Sequence, residues 1–217
     1  MIKVTYWFGM LKWALIFGIA VSAIYTSLDV LYVNEAATTG VDPLEAASNW
    51  DLSMPFNFAW LASSGAGIFL IVSSIGFVLR SAQWLKSEDD AAVRFKPGWA
   101  IAGYLIPVIS VIVPFMFQWD LNKGGFHSEK SKKQTKSLLI STLVFSVVSS
   151  ALLRSSLTDF TFFLSDESQE MTLEEFVGNE WNAINGSLFD IIGMIVLFFA
   201  VRNIYTGLLL RSESSVA

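Results

Sequence analysis

The chain of 217 residues contains no cysteine and a single histidine, His127. The first absence excludes disulfides, thiolate nucleophiles and zinc-thiolate or iron–sulfur centres; the second excludes a multi-histidine metal or haem site. Neither a metal nor a cofactor is expected. A cysteine-free chain is also compatible with an oxidising compartment. Charge is scarce too: 15% of residues are charged, against about 25% in ordinary soluble domains. Apolar residues fill the difference, at 53% of the chain with eight Trp and eighteen Phe, and the mean hydropathy is +0.55. This composition predicts an all-α integral membrane protein, a single polytopic domain over residues 1–217 with no room for a separate soluble domain.

Lysine and arginine are missing from two particular places. Residues 34–55 hold Glu35, Asp42, Glu45 and Asp51 with no Lys or Arg, and residues 156–183 hold seven acidic residues, again with none. Basic residues instead collect at Lys3 and Lys12, at Arg80, Lys86, Arg94 and Lys96, from Lys123 to Lys136, and at Arg202 and Arg211. Because Lys and Arg mark the cytoplasmic side, 34–55 and 156–183 are expected to be outer loops and both termini cytoplasmic. Four spanning helices are expected at about 13–33, 56–79, 138–155 and 184–205, long enough at about 1.5 Å per residue to cross about 30 Å of hydrocarbon. Val21-Ser22-Ala23 resembles a signal-peptidase site. The apolar run continues through Tyr32 and Val33, which favours an uncleaved first helix.

The remaining apolar stretch, Trp99 to Trp119, is 21 residues without a charge, and it is flanked by basic segments on both sides. As a spanning helix it would force one of those segments across the membrane. The positive-inside pattern therefore favours a stretch that enters and leaves on the cytoplasmic side. Pro107 and Pro114 provide the local reason, since each lacks an amide hydrogen and clashes with the preceding turn. The expectation is a proline-broken re-entrant or in-plane helical hairpin over 97–119; the alternative is five spanning helices, one of them kinked by proline.

Residues 77–121, "FVLRSAQWLKSEDDAAVRFKPGWAIAGYLIPVISVIVPFMFQWDL", carry a recognisable pattern. Phe77 and Arg80 close a helix, a polar linker follows, and then come Pro97, Gly98, Trp99 and Ala100, Ile106 and Pro107, and Pro114 and Phe115. This stretch resembles the bacterial membrane family catalogued as domain of unknown function 4328. Between the two prolines, where that family often carries asparagine and arginine, this chain has Ser110 and Val113. The resemblance implies the helical layout and a bacterial membrane, and it implies no activity.

Ionisable residues inside a bilayer are costly and so are functional candidates. Asp29 and Asp190 qualify, with Arg154 the basic residue nearest their level. The three form a candidate intramembrane charge cluster: either a cation or proton site, or a packing ion pair beside an interfacial aspartate. Small residues at four-residue spacing (Ala14, Gly18, Ser22; Ala59, Ser63, Gly67; Thr142, Ser146, Ser150) are expected to pack helices closely. Lys130, Lys132, Lys133 and Lys136 match anionic lipid headgroups or serve simply as a topology signal. Thr172 and Glu175 have capping-box spacing before a short amphipathic helix through Trp181. No catalytic set and no nucleic-acid-binding pattern is visible. The chain therefore reads as a non-enzymatic accessory, assembly or sensing component of the bacterial inner membrane, with a membrane-protein partner or a second copy as its company. The other reading is a small ion or solute transporter or channel.

Overall fold

The computed structural model describes residues 1–39, 53–89, 92–105, 112–125, 128–163 and 172–215. Every regular element among them is a helix: α1 (Ile2–Thr39), α2 (Ser53–Glu88), α3 (Trp99–Leu105), α4 (Ile112–Gly124), α5 (Glu129–Phe163) and α6 (Leu173–Ser214). Among the described residues, four helices, α1, α2, α5 and α6, are long and apolar enough to cross a membrane. The protein is thus a multi-pass helical membrane protein by length and composition. Large apolar side chains stand exposed along these helices, among them Phe17, Ile24, Phe58, Ile68, Val147 and Phe199. Hydrocarbon covers such side chains in a membrane, whereas water would penalise so many.

The long helices run well past the apolar cores expected from sequence. At 38, 36, 35 and 42 residues they each exceed the roughly 20 residues that a bilayer requires. Polar ends explain the excess. The basic run at 127–136, read as a loop, is helical from Glu129 onward. The short amphipathic helix expected through Trp181 is instead the first part of α6. Its capping box forms: the Thr172 amide donates to Glu175 Oε2 at 2.9 Å, and the Glu175 amide donates to Thr172 Oγ1 at 3.3 Å. Two of the amide donors at the start of the helix are thereby satisfied.

Proline marks helix starts here. Pro55 is the third residue of α2 and Pro114 the third of α4, positions where the missing amide has no intrahelical partner to lose. No single helix covers 99–119. A Cβ added at Gly103 in α3 would lie 2.5 Å from Val113 Cγ1 in α4, whereas a continuous helix would separate the two residues by about 15 Å. The chain therefore reverses between them. Residues 106–111, with Pro107 and Ser110, lie outside the described residues.

The contacts divide the chain into two compact units: Met1–Gly18, Ala66–Leu143 and Gly193–Ala217 form the first, and Ile19–Gly65 and Val144–Ile192 the second. Each long helix contributes a segment to both. The first unit has a conventional apolar core containing Leu11, Phe77, Leu85, Phe117, Leu121 and Leu208. Phe8 stacks on Tyr205 with centroids 4.0 Å apart, and the Tyr205 hydroxyl donates to Thr5 Oγ1 at 3.1 Å. Gly76 is needed there, because any Cβ would fall within the Trp7 ring. The second unit buries Val33, Ala36, Ala59 and Ile184, together with Thr26, Asp29 and Ser149. Tyr32 meets Phe176 edge to face, and Phe145 stacks with Phe189.

The small-residue stripes hold only in part. Ala14 is buried and Gly18 packs close to Met194, but Gly67 faces open space. On α5, Ser146 and Ser150 are exposed and Ser149 is the buried serine. A four-residue spacing identifies a helical face without saying which neighbour it meets.

Candidate functional site

Two polar assemblies stand out, one in each unit. In the second unit, α1 presents Ser22, Tyr25 and Thr26, the latter two three and four residues after the first, a one-turn spacing that places them on a common face. They line a cavity of about 160 Å³ with Ser63 of α2, Leu153 of α5, and Ser187 and Asp190 of α6. Thr26 is 5% exposed, and its hydroxyl donates to the Ser22 carbonyl at 2.8 Å. With its hydrogen committed, the Thr26 oxygen is left as an acceptor. Asp190 supplies the cavity's one carboxylate.

Asp29 follows one helical turn after Tyr25 and is 4% exposed. It does not line the cavity. Burial is the main influence on its carboxylate, and Glu180 of α6 adds a like charge in its neighbourhood. Of the expected cluster, then, Asp29 and Asp190 fall in one unit, with Asp190 on the cavity wall and Asp29 buried outside its lining. Arg154 lies on α5, and its side chain is outside the described residues. Sequence reasoning had passed over Glu180, Tyr25, Thr26 and Ser187. The available signal was the helical spacing of Ser22, Tyr25, Thr26 and Asp29, and of Glu180, Ser187 and Asp190.

In the first unit, the linker before α3 is tied to α4. Arg94 Nε donates to both carboxylate oxygens of Asp120 at 3.0 and 3.1 Å, and its Nη2 lies 2.9 Å from Oδ1. The Arg94 amide adds a further bond to Oδ2 at 3.2 Å. Arg211 at the end of α6 donates to the Gly124 carbonyl at 2.7 Å and lies 3.8 Å from Asp89. Asn122 Nδ2 donates to the Lys132 carbonyl at 3.2 Å. Together these bonds join the linker, α4, α5 and α6.

The hairpin motif residues are distributed around this assembly. Arg80 donates to Gln83 within α2. Pro97 and Gly98 form the turn before α3, with the Trp99 amide donating to the Lys96 carbonyl. Trp99 is 48% exposed. Gly98 has open space around it, whereas Gly103, further along the same stretch, lies in close contact with Val113. Of the four headgroup lysines, Lys130 and Lys133 are exposed. Lys132 sits 3.8 Å from Glu129, and Lys136 lies over the Trp119 ring at 5.2 Å. A lysine ammonium on an indole face, with its stem against apolar surface, is a common arrangement at a membrane interface.

Compared with family models, curated proteins and solved structures, the chain matches none. Function has to be argued from these residues.

Proposed function

We propose that this chain is a non-enzymatic protein of the bacterial inner membrane, with N- and C-termini cytoplasmic, that works as an accessory, assembly or sensing component. The observation that carries this reading is the interlocked basic side: Arg94–Asp120, Arg211–Gly124 and Asn122–Lys132 hold the α3–α4 pair and the ends of α5 and α6 in fixed register. A folded platform of this kind suits docking against a membrane-protein partner or a second copy. The reversal between Gly103 and Val113 supports a re-entrant or in-plane hairpin, because it returns the chain to the side from which it came. The Pro97–Ala100 box and the two-proline spacing support kinship with the domain of unknown function 4328 family. Exposed Lys130 and Lys133 are suited to anionic headgroups on the cytoplasmic face. Mild-detergent purification of the tagged full chain tests the accessory role: a stoichiometric complex or homo-oligomer is expected, and a lone monomer by native mass spectrometry counts against it.

The cavity with Asp190 favours a second reading, a small ion or solute transporter or channel. Liposomes containing the protein would then pass a solute, and Asp190→Asn would abolish the flux. Absence of flux across a broad panel removes this reading.

A further inference from the structure

We infer that the cavity of the second unit is a binding site for a compact monovalent cation, held by the Asp190 carboxylate and the surrounding hydroxyl oxygens. The cavity's volume, about 160 Å³, exceeds what one water needs several-fold, so it accommodates a partly hydrated alkali-metal ion or a small ammonium group. Its lining is rich in oxygen acceptors: Ser22, Thr26, Ser63 and Ser187, with the Tyr25 hydroxyl, around one carboxylate. Thr26 donates its hydroxyl hydrogen to the Ser22 carbonyl, which leaves its oxygen as an acceptor suited to a cation. Among the described residues, the Asp190 carboxylate receives no hydrogen bond and no salt bridge. Asp190 is itself exposed, so a cation can reach it, and a carboxylate among apolar helices is stabilised by such a counter-charge.

The wider charge distribution points the same way. Among the described residues, the parts of α1 and α6 in the second unit carry Asp29, Glu35, Glu174, Glu175, Glu180 and Asp190 and no Lys or Arg, a balance that favours cations over anions. Charge number follows from the ligand set. Divalent calcium takes six to eight oxygens, typically from several carboxylates, whereas this cavity offers one. Among the described residues no three acidic or histidine side chains converge as a multi-carboxylate divalent site would require. The site rests on the cavity alone, and it stands or falls separately from the accessory role.

The test uses the purified full chain in detergent, with thermal unfolding followed by tryptophan fluorescence. Sodium, potassium, methylammonium and magnesium chlorides are titrated against N-methylglucamine chloride at constant ionic strength. A ligand bound only by the folded protein raises Tm in a saturable way. Saturation by sodium, potassium or methylammonium is expected, and the salt that saturates at the lowest concentration distinguishes an alkali-metal ion from an ammonium group. Asp190→Asn is expected to weaken the midpoint about tenfold or more, as for loss of a charged hydrogen-bond partner, and Thr26→Val to weaken it less. The inference is overturned if every salt behaves like N-methylglucamine, if magnesium alone saturates, or if Asp190→Asn leaves the midpoint unchanged. If saturation appears only after Arg154→Gln, the cavity is neutralised from within and the inference is likewise overturned. Should Asp190→Asn fail to elute as a folded species, Ser63→Ala and Ser187→Ala take its place, and unchanged midpoints in both would refute the site.

Discussion

Arg94 and Asp120, 26 residues apart in sequence, meet as a forked ion pair in which the aspartate side chain is 3% exposed and the arginine side chain 51%. The buried partner receives three hydrogen bonds from Arg94 and the exposed partner faces solvent. Replacing Arg94 leaves a carboxylate buried without its counter-charge, which costs more than losing a surface pair. Arg94→Ala is expected to destabilise the protein by about 1–3 kcal/mol, below the range for fully buried pairs because Arg94 is half in solvent. Arg94→Lys is expected to recover only part of this, since a lysine cannot reproduce the planar fork. Thermal unfolding in detergent micelles measures both variants, and a wild-type Tm for Arg94→Ala would refute the assignment.

Gly103 and Gly98 make opposite predictions from neighbouring positions. A Cβ at Gly103 would lie 2.5 Å from Val113 Cγ1, while one at Gly98 would meet nothing within 4 Å. Gly103→Ala is expected to lower stability by about 1–3 kcal/mol through overpacking, and Gly98→Ala to have little steric effect. Adding Val113→Ala to Gly103→Ala is expected to restore part of the loss, as neighbouring sites couple. If Gly103→Ala matched the wild type in a thermal melt, the close approach of α3 and α4 would be contradicted.

The capping box at the start of α6 has a local signature. Thr172→Ala removes the hydroxyl that accepts from the Glu175 amide, and loss of such a cap costs about 0.5–2 kcal/mol. Hydrogen exchange is expected to quicken at residues 174–176, with the remainder of α6 little changed. Uniformly faster exchange along the helix would mean that its first turn is coupled to the whole.

Much of the architecture was legible in the sequence because membrane helices announce themselves by length and hydropathy. The α1, α2, α5 and α6 cores fall where apolar runs occur, and in the proline-bearing stretch α3 and α4 are separate helices that approach at Gly103 and Val113. Helix ends were less legible. Hydropathy reports where lipid lies, not where the helix stops, so the polar turns of α5 from Glu129 read as a loop and those of α6 from Leu173 as a separate short helix. Pro114 was read as a breaker, whereas its place in the first turn of α4 makes it a starter. For the candidate site, Asp29 and Asp190 stood out as charges in apolar runs. Tyr25, Thr26 and Ser187 did not, since hydroxyls are common on membrane helices and only tertiary packing selects those that share a cavity. The Arg94–Asp120 pair was hidden for the same reason: both residues read as ordinary ends of polar segments.

The central claim is that the basic segments lie on one side of the membrane and the acidic segments on the other, with residues 99–119 not crossing. With no native cysteine, each single substitution introduces the chain's only thiol. Ser87→Cys, Ser131→Cys and Thr172→Cys are labelled in intact cells with a membrane-impermeant maleimide, then again after permeabilisation. The account predicts that Thr172→Cys labels from outside, while Ser87→Cys and Ser131→Cys label only after permeabilisation. Labelling of Ser87→Cys and Ser131→Cys from opposite sides would contradict it.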